Sequence, residues 1–437
     1  MNSVVRKAAA LCSVATLSVA FLAGCAGGSD KDAGVDPATV KDGKVEGQIT
    51  FQTWSLKNDR FTPYFENLIK DFEKQNPKVT VKWMDQPGDG YADKLLQQAN
   101  AGELPDVVNV PPEYALTLAH ANKLLDLKKA DDKALDSYVD GGLKAYQYHG
   151  LDGTYAYPWY LGVVTNYWNK DALTKAGLDP NKPPTNDDEY LKQAAQAADK
   201  NVALLNTVPN VGFFASRGIK IFDEQKRQFT FANADSEKLL KEWADLYQKG
   251  AMPAELLSSV DNGQPANEAF YKGTLANIQS TPSFAASLKT DAPTLLDKVS
   301  VTEPWETPQL LAQGIAVSAN SKHAAAALAF AQFVTNNENQ VNFVKEAKGF
   351  LPGTKAGNKN PEDFIASDDT PLMKEAVKAS AKTIQRAKLL YPLEMSNDMK
   401  TAVQQEMALA MQGKKDPKAA LEDAQKKCND MMKDIDS

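Results

Sequence analysis

Residues 48–83 read QITFQTWSLKNDRFTPYFENLIKDFEKQNPKVTVKW. The first seven, Gln48 to Trp54, alternate and are rich in β-formers. Phe61, Phe65, Leu68, Ile69 and Phe72 then recur at helical spacing up to Lys74, so the order is strand, then helix. Asn76-Pro77 breaks the helix, and Val79 to Trp83 is a second strand. Tyr91 to Ala101 is a second amphipathic helix that stops at Gly102. After Leu104-Pro105, the run Asp106 to Val110 reads as a buried strand stopped by Pro111-Pro112, with a helix from Glu113 to Asn122. Repeated β-α alternation predicts a mainly parallel sheet. Ligands of such sheets sit beyond the carboxyl ends of the strands, which places Trp54 to Arg60 and Asn109 to Tyr114 at the expected site.

A different texture starts at Gly153, where Tyr155 to Tyr160 is rich in aromatic residues, and a first crossing between lobes is expected there. Val163 to Trp168 is strand-like and Asn169 to Ala176 helical. Thr185 to Glu189 reads as an N-cap followed by acids, opening a helix through Ala198. Helices at Asp235 to Lys249 and Asn267 to Lys272 and a strand at Thr274 to Gln279 extend this second lobe to about Pro308. A strand at Leu311 to Ser318, an alanine-rich helix at His323 to Asn336 and helices at Thr370 to Arg386 and Asn397 to Gln412 complete the chain. The fold class is therefore α/β with two lobes, each a mainly parallel sheet flanked by helices. One lobe is expected over 47–157 plus 311–366, the other over 158–310 plus 367–437.

The amino terminus reads as an export signal. Arg6 and Lys7 precede an apolar run from Ala8 to Ala23, sixteen residues long, short of the roughly 20 that span a bilayer. It ends in Leu22-Ala23-Gly24-Cys25, a pattern like the lipobox, so residues 1–24 are expected to be removed and Cys25 to carry the lipid. Residues 25–46 are rich in Gly, Ser, Asp and Lys and read as a flexible tether. The location this implies is the extracytoplasmic face of the cell membrane. Loss of Arg6 and Lys7 leaves 47 Lys and Arg against 56 Asp and Glu, a net charge of −9, which argues against nucleic acid as a partner. With Cys12 removed and Cys25 acylated, Cys428 stands alone, read as a semi-exposed thiol, and no disulfide is expected. His120, His149 and His323 have no zinc-binding spacing, and neither metal nor cofactor is expected. About 390 residues follow the tether, enough for two lobes.

Several ordered segments resemble the family 1 extracellular solute-binding proteins of carbohydrate ABC importers. They are Ala99-Asn100-Ala101-Gly102-Glu103-Leu104-Pro105-Asp106-Val107-Val108, Gly153-Thr154-Tyr155-Ala156-Tyr157-Pro158-Trp159, and Tyr167-Trp168-Asn169-Lys170-Asp171-Ala172-Leu173 followed by Ala176-Gly177-Leu178 and Pro183-Pro184-Thr185. Later come Ala269-Phe270-Tyr271-Lys272-Gly273, Asn337-Glu338-Asn339-Gln340, Gly349-Phe350-Leu351-Pro352 and Ala419 to Ala424. The resemblance covers most of residues 48–432. It implies a monomeric type II binding fold that closes on a sugar by a hinge and presents it to ABC permease subunits without chemistry on the ligand. Trp168 replaces the family's usual second Tyr, and Asn397-Asp398-Met399 lacks the aromatic platform of maltose-binding members, which argues against maltose.

Sugar rings have apolar C–H faces and hydroxyl edges, so a receptor needs aromatic platforms and placed polar groups. Trp54, Asn58 and Asp59 follow the first strand, at positions that hold ligand hydroxyls in the family. Asn109, Glu113 and Tyr114 follow the third strand, with the carboxylate as acceptor and the phenol as platform. Trp159 and Tyr160 at the crossing serve either as platform or as hinge packing. Phe284, Trp305 and Phe350 are further aromatic candidates, and Gln313 is either a ligand contact or a polar hinge residue. The competing readings are a non-sugar solute, such as glycerol phosphate, a polyamine or a metal ion, on the same fold, and a surface adhesin or structural lipoprotein. A lipid-anchored glycoside hydrolase is another, needing two carboxylates roughly 5 to 9.5 Å apart, for which Glu113 and Asp59 are the available pair.

Overall fold

The computed structural model describes residues 34–258 and 263–436; the export signal, Cys25 and the first part of the expected tether lie outside the described residues. Strands β1 (Gly47–Trp54), β2 (Val79–Gln86) and β3 (Val107–Val110) form close to where alternation places them. Helix Thr62–Gln75 follows β1, carries Pro63 in its first turn and buries Phe65, Leu68 and Phe72. Asn76 ends it by donating its backbone N–H to the Phe72 carbonyl, as the Asn-Pro break requires. Helix Tyr91–Asn100 starts after Gly90, whose φ of +73° no other residue adopts cheaply.

The chain runs on through β4 (Tyr157–Val163) and β5 (Thr165–Asn169), the short hairpin β6 (Phe222–Asp223) and β7 (Gln228–Phe229), then β8 (Asn277–Ser280), β9 (Val299–Thr302), β10 (Leu310–Val317) and β11 (Leu351–Pro352). One sheet has the order β11-β4-β10-β3-β1-β2, the other β8-β5-β9. In the first, β1 pairs parallel with β2 and β3, while β10 runs antiparallel to β3 and β4, and β11 antiparallel to β4. Both sheets correct the expectation of mainly parallel pairing: the first is mixed, and in the second β5 lies between β8 and β9 and is antiparallel to both. Period-two alternation marks a strand but carries no information on the direction of its neighbours.

The chain passes between the sheets at Val164, between β4 and β5, later than the crossing expected at 158, and returns between β9 and β10. Helix Pro371–Thr383 packs beside both sheets, and its Ser380 hydroxyl donates to the Val163 carbonyl at 2.8 Å, next to the first passage. The first core is aromatic: Phe51 meets Phe65 at 6.1 Å and Phe330, from the returning helix Ala324–Val334, at 5.2 Å. Under Gly47, with φ +105°, the His323 ring lies within 2.3 Å of where a Cβ would stand, so glycine is required twice over.

Two further expectations need correction. Residues 34–46 are folded onto the first lobe: Val35 N–H donates to the Ala319 carbonyl, Asp36 caps a helical turn Pro37–Val40, Val40 is buried, and Lys41 meets Asp131 at 2.6 Å. Polar composition masked a capped turn carrying one apolar anchor. Cys428 is fully buried in helix Pro417–Asp436, and burial pushes its thiol up to about 12. No described helix is long and apolar enough to cross a membrane.

Candidate functional site

The end of β1, the turn after β3, the end of β8, the first half of β10, the short helix and flanking turns at 206–217, and the loops near 306–309 and 389–397 surround a cleft of about 1620 Å³. On the first-sheet side the chain turns sharply after Trp54, with Ser55 at φ +57°. Trp54 is stacked on Tyr91 at 5.8 Å and 16°, and Tyr91 meets Tyr114 at 6.5 Å. Gly88 approaches the Trp54 ring so closely that a Cβ there would stand 3.1 Å from it. The Trp54 Nε1 is buried with no acceptor among the described residues, which leaves one donor seeking a partner. Burial, then the Glu113 and Asp93 charges, push the Tyr114 phenol up, so it stays neutral and offers both a face and a hydroxyl.

Six of the sequence-derived candidates line the cleft together: Trp54, Glu113, Tyr114, Tyr160, Gln313 and Phe350. Tyr160 and Phe350 meet edge to face at 5.0 Å. Gln313 pairs with Tyr160 beside a bulge in β4, where Trp159 is the extra residue and the register to β10 shifts between Gln313 and Gly314. Its Oε1 accepts from Asn109 Nδ2 at 3.0 Å. Asn109 itself is buried behind this contact and does not line the cleft.

The others do not join them. Asn58 and Asp59 are exposed on the loop after β1; Asn58 Oδ1 accepts from the Arg60 and Phe61 backbone N–H groups, which closes the turn that leads into the next helix. Trp159, the bulged residue of β4, is fully buried and stacked on Phe343 at 4.5 Å, while Tyr160 packs against the same ring and lines the cleft. Phe284 is core, packed on Tyr167, Phe270 and Tyr271. Trp305 lies behind the cleft lining, its Nε1 donating to Asp187 Oδ1 at 3.0 Å.

The opposite side escaped sequence reasoning almost entirely. Asn206, Arg217, Gln279 and Glu306 line it, with Phe213 and Tyr391 as aromatic residues. Arg217 lies over the Phe213 ring at 3.8 Å, and its Nε and Nη2 each meet an Asp187 oxygen at 2.8 Å. Tyr391, on the loop after helix Pro371–Thr383, donates its hydroxyl to Asn210 Oδ1 at 3.0 Å and fits only because residue 212 is glycine. Neither spacing nor composition marks these residues, because their contacts, such as Arg217 with Asp187 across 30 positions and Gln279 with Glu306 across 27, join distant segments.

The model of the bacterial extracellular solute-binding protein family matches residues 67–375. A provisionally named binding protein of Brucella abortus (strain 2308) is 27% identical, over 89% of this chain and 93% of its own. A maltooligosaccharide ABC transporter solute-binding lipoprotein of Streptococcus pneumoniae serotype 4 is 25% identical over 66% of each chain. Among solved structures, a provisionally assigned oligosaccharide periplasmic-binding protein of Synechococcus sp. MITs9220 superposes with a TM-score of 0.74 at 27% identity, covering 88% of this chain and 98% of the other. With its two-lobed α/β fold and its cleft at the passages between sheets, the chain belongs to the bacterial extracellular solute-binding proteins.

Proposed function

We propose that this chain captures a neutral oligosaccharide in the cleft and delivers it to the permease of an ABC importer. The supporting observation is the pairing of an aromatic side, Trp54, Tyr114, Tyr160 and Phe350, with a side of placed polar groups, Asn206, Gln279 and Glu306. Aromatic faces suit sugar C–H faces, and amides and carboxylates replace the water lost by hydroxyls. A cleft of about 1620 Å³ accommodates several rings. The relatives named for oligosaccharides support the ligand class. Glycerol phosphate is disfavoured because, of the cations lining the cleft, Arg217 is committed to Asp187 and Arg227 to Glu394, and Lys400 lies over the Tyr391 ring. The hydrolase pair is disfavoured too, since Asp59 lies outside the lining to which Glu113 belongs.

Delivery follows from closure. The two lobes swing about the passages at Val164 and 303–309, and a sugar gripped by both favours the closed form. Anchoring follows from acylation of Cys25 after removal of 1–24, and the docking of residues 34–46 shortens the free leash. Radiolabelled palmitate should appear on the wild-type chain and not on Cys25→Ser. A thermal-shift screen tests the ligand class: neutral oligosaccharides should raise the melting temperature, and a response to polyamines with none to any sugar would overturn it.

A further inference from the structure

Glu306 sits on the segment that returns from β9 to β10 and lines the cleft beside Gln279 and Arg217. Its two carboxylate oxygens are in different states. Oε1 accepts a hydrogen bond from Gln279 Nε2. Oε2 is shut off from solvent and has no donor among the described residues. A carboxylate oxygen that has lost water without gaining a donor is unfavourable, and it is satisfied when a donor arrives.

The donor does not come from Arg217, which lines the cleft beside Glu306. Arg217 grips Asp187 through Nε and Nη2, and its Nη1 donates to Ser216 Oγ at 3.1 Å. Nor is the segment free to turn Glu306 away. Arg386 donates to the Pro304 and Glu306 carbonyls, Trp305 Nε1 is held by Asp187 at 3.0 Å, and Thr307 N–H donates to the Ser216 carbonyl at 3.0 Å. Residues 304–307 are thus pinned on both sides, the arrangement that preorganises a binding group.

We propose that Glu306 is the specificity-determining acceptor of the second lobe: in the closed form its Oε2 takes a hydrogen bond from one free hydroxyl of a bound neutral oligosaccharide, with Gln279 positioning the carboxylate. The proposal rests on the oligosaccharide reading of the cleft. A carboxylate accepts but does not donate, so the ring seated there must carry an unsubstituted hydroxyl. Deoxy or O-methyl rings at that position are rejected, and uronic acids are repelled by like charge.

The test uses calorimetry on the purified full chain with defined neutral tetrasaccharides (maltotetraose, cellotetraose, xylotetraose and arabinotetraose), followed by the tightest of these against variants. Glu306→Ala should weaken that probe by about tenfold or more, the range of a hydrogen bond to a charged group, with Glu306→Gln intermediate and Gln279→Ala weaker than wild type by a smaller factor. Melting of the unliganded variants, read alongside, separates misfolding from lost contact, and Glu306→Gln preserves shape if the alanine variant fails to fold. Monodeoxy analogues of the probe supply the second readout: one of them should bind wild type more weakly than the parent, and that difference should vanish in the variant. Unchanged affinity in folded Glu306→Ala or Glu306→Gln would overturn the assignment while leaving the oligosaccharide reading intact. Failure of every tetrasaccharide to bind wild type would overturn both.

Discussion

The two sides of the cleft are built by different means. The first-sheet side is a run of aromatic rings, Trp54 on Tyr91 and Tyr91 near Tyr114, with Tyr160 against Phe350. It is continuous with the core through neighbours such as Trp159 and Phe343. The opposite side is a set of polar loop residues fastened by charge: Asp187 holds both Arg217 and Trp305, and Arg386 holds the carbonyls around Glu306. Ring stacking supplies affinity with little directionality, whereas fixed acceptors demand a hydroxyl at one place. One side is suited to gripping many sugars and the other to choosing among them.

Substitutions separate these roles. The largest effect should come from Trp159→Ala, which empties a fully buried site behind the aromatic side; unfolding in urea should show a loss of about 3 to 5 kcal/mol. If Trp159 were instead a sugar platform, affinity would fall without that loss. Arg217→Ala removes the bidentate partner of Asp187, whose side chain is partly exposed, so the expected destabilisation is smaller, about 2 kcal/mol. Calorimetry should show weaker sugar binding as residues 304–307 loosen, and unaltered selectivity in this variant would break the contrast between the sides.

Trp54→Ala should reverse that balance. The ring is half-buried, so stability should drop by only about 1 to 2 kcal/mol while titration shows affinity reduced about tenfold or more. Equal affinity would remove Trp54 from the platform. Asp59→Ala, exposed on the loop after β1, should change both quantities by less than about 0.5 kcal/mol. A larger loss of affinity would show that the loop folds over the ligand on closure.

The same contrast explains what could be read from the chain. The β-α order from Gln48 to His120 follows from alternation, helical spacing and Pro and Gly stops, all local, and the first-sheet side of the cleft falls out of it because strand ends carry the site. Trp159 and Tyr160 remained ambiguous because which of them is core depends on the bulge between β4 and β10 and on Phe343 of helix Asn337–Glu346, both set by segments far along the chain. The polar side was illegible for a related reason. Glu306 and Gln279 meet across 27 positions and Arg386 reaches Glu306 across 80, and no periodicity links such residues. Strand direction in the second sheet was lost in the same way.

A crystal structure of the chain with its tightest neutral oligosaccharide tests the account most directly. Sugar rings should lie against Trp54 and Tyr114, with one hydroxyl in hydrogen-bond range of Glu306 Oε2. Rings bound outside the cleft, or a closed cleft in which Glu306 faces no hydroxyl while a charged solute occupies the centre, would contradict it.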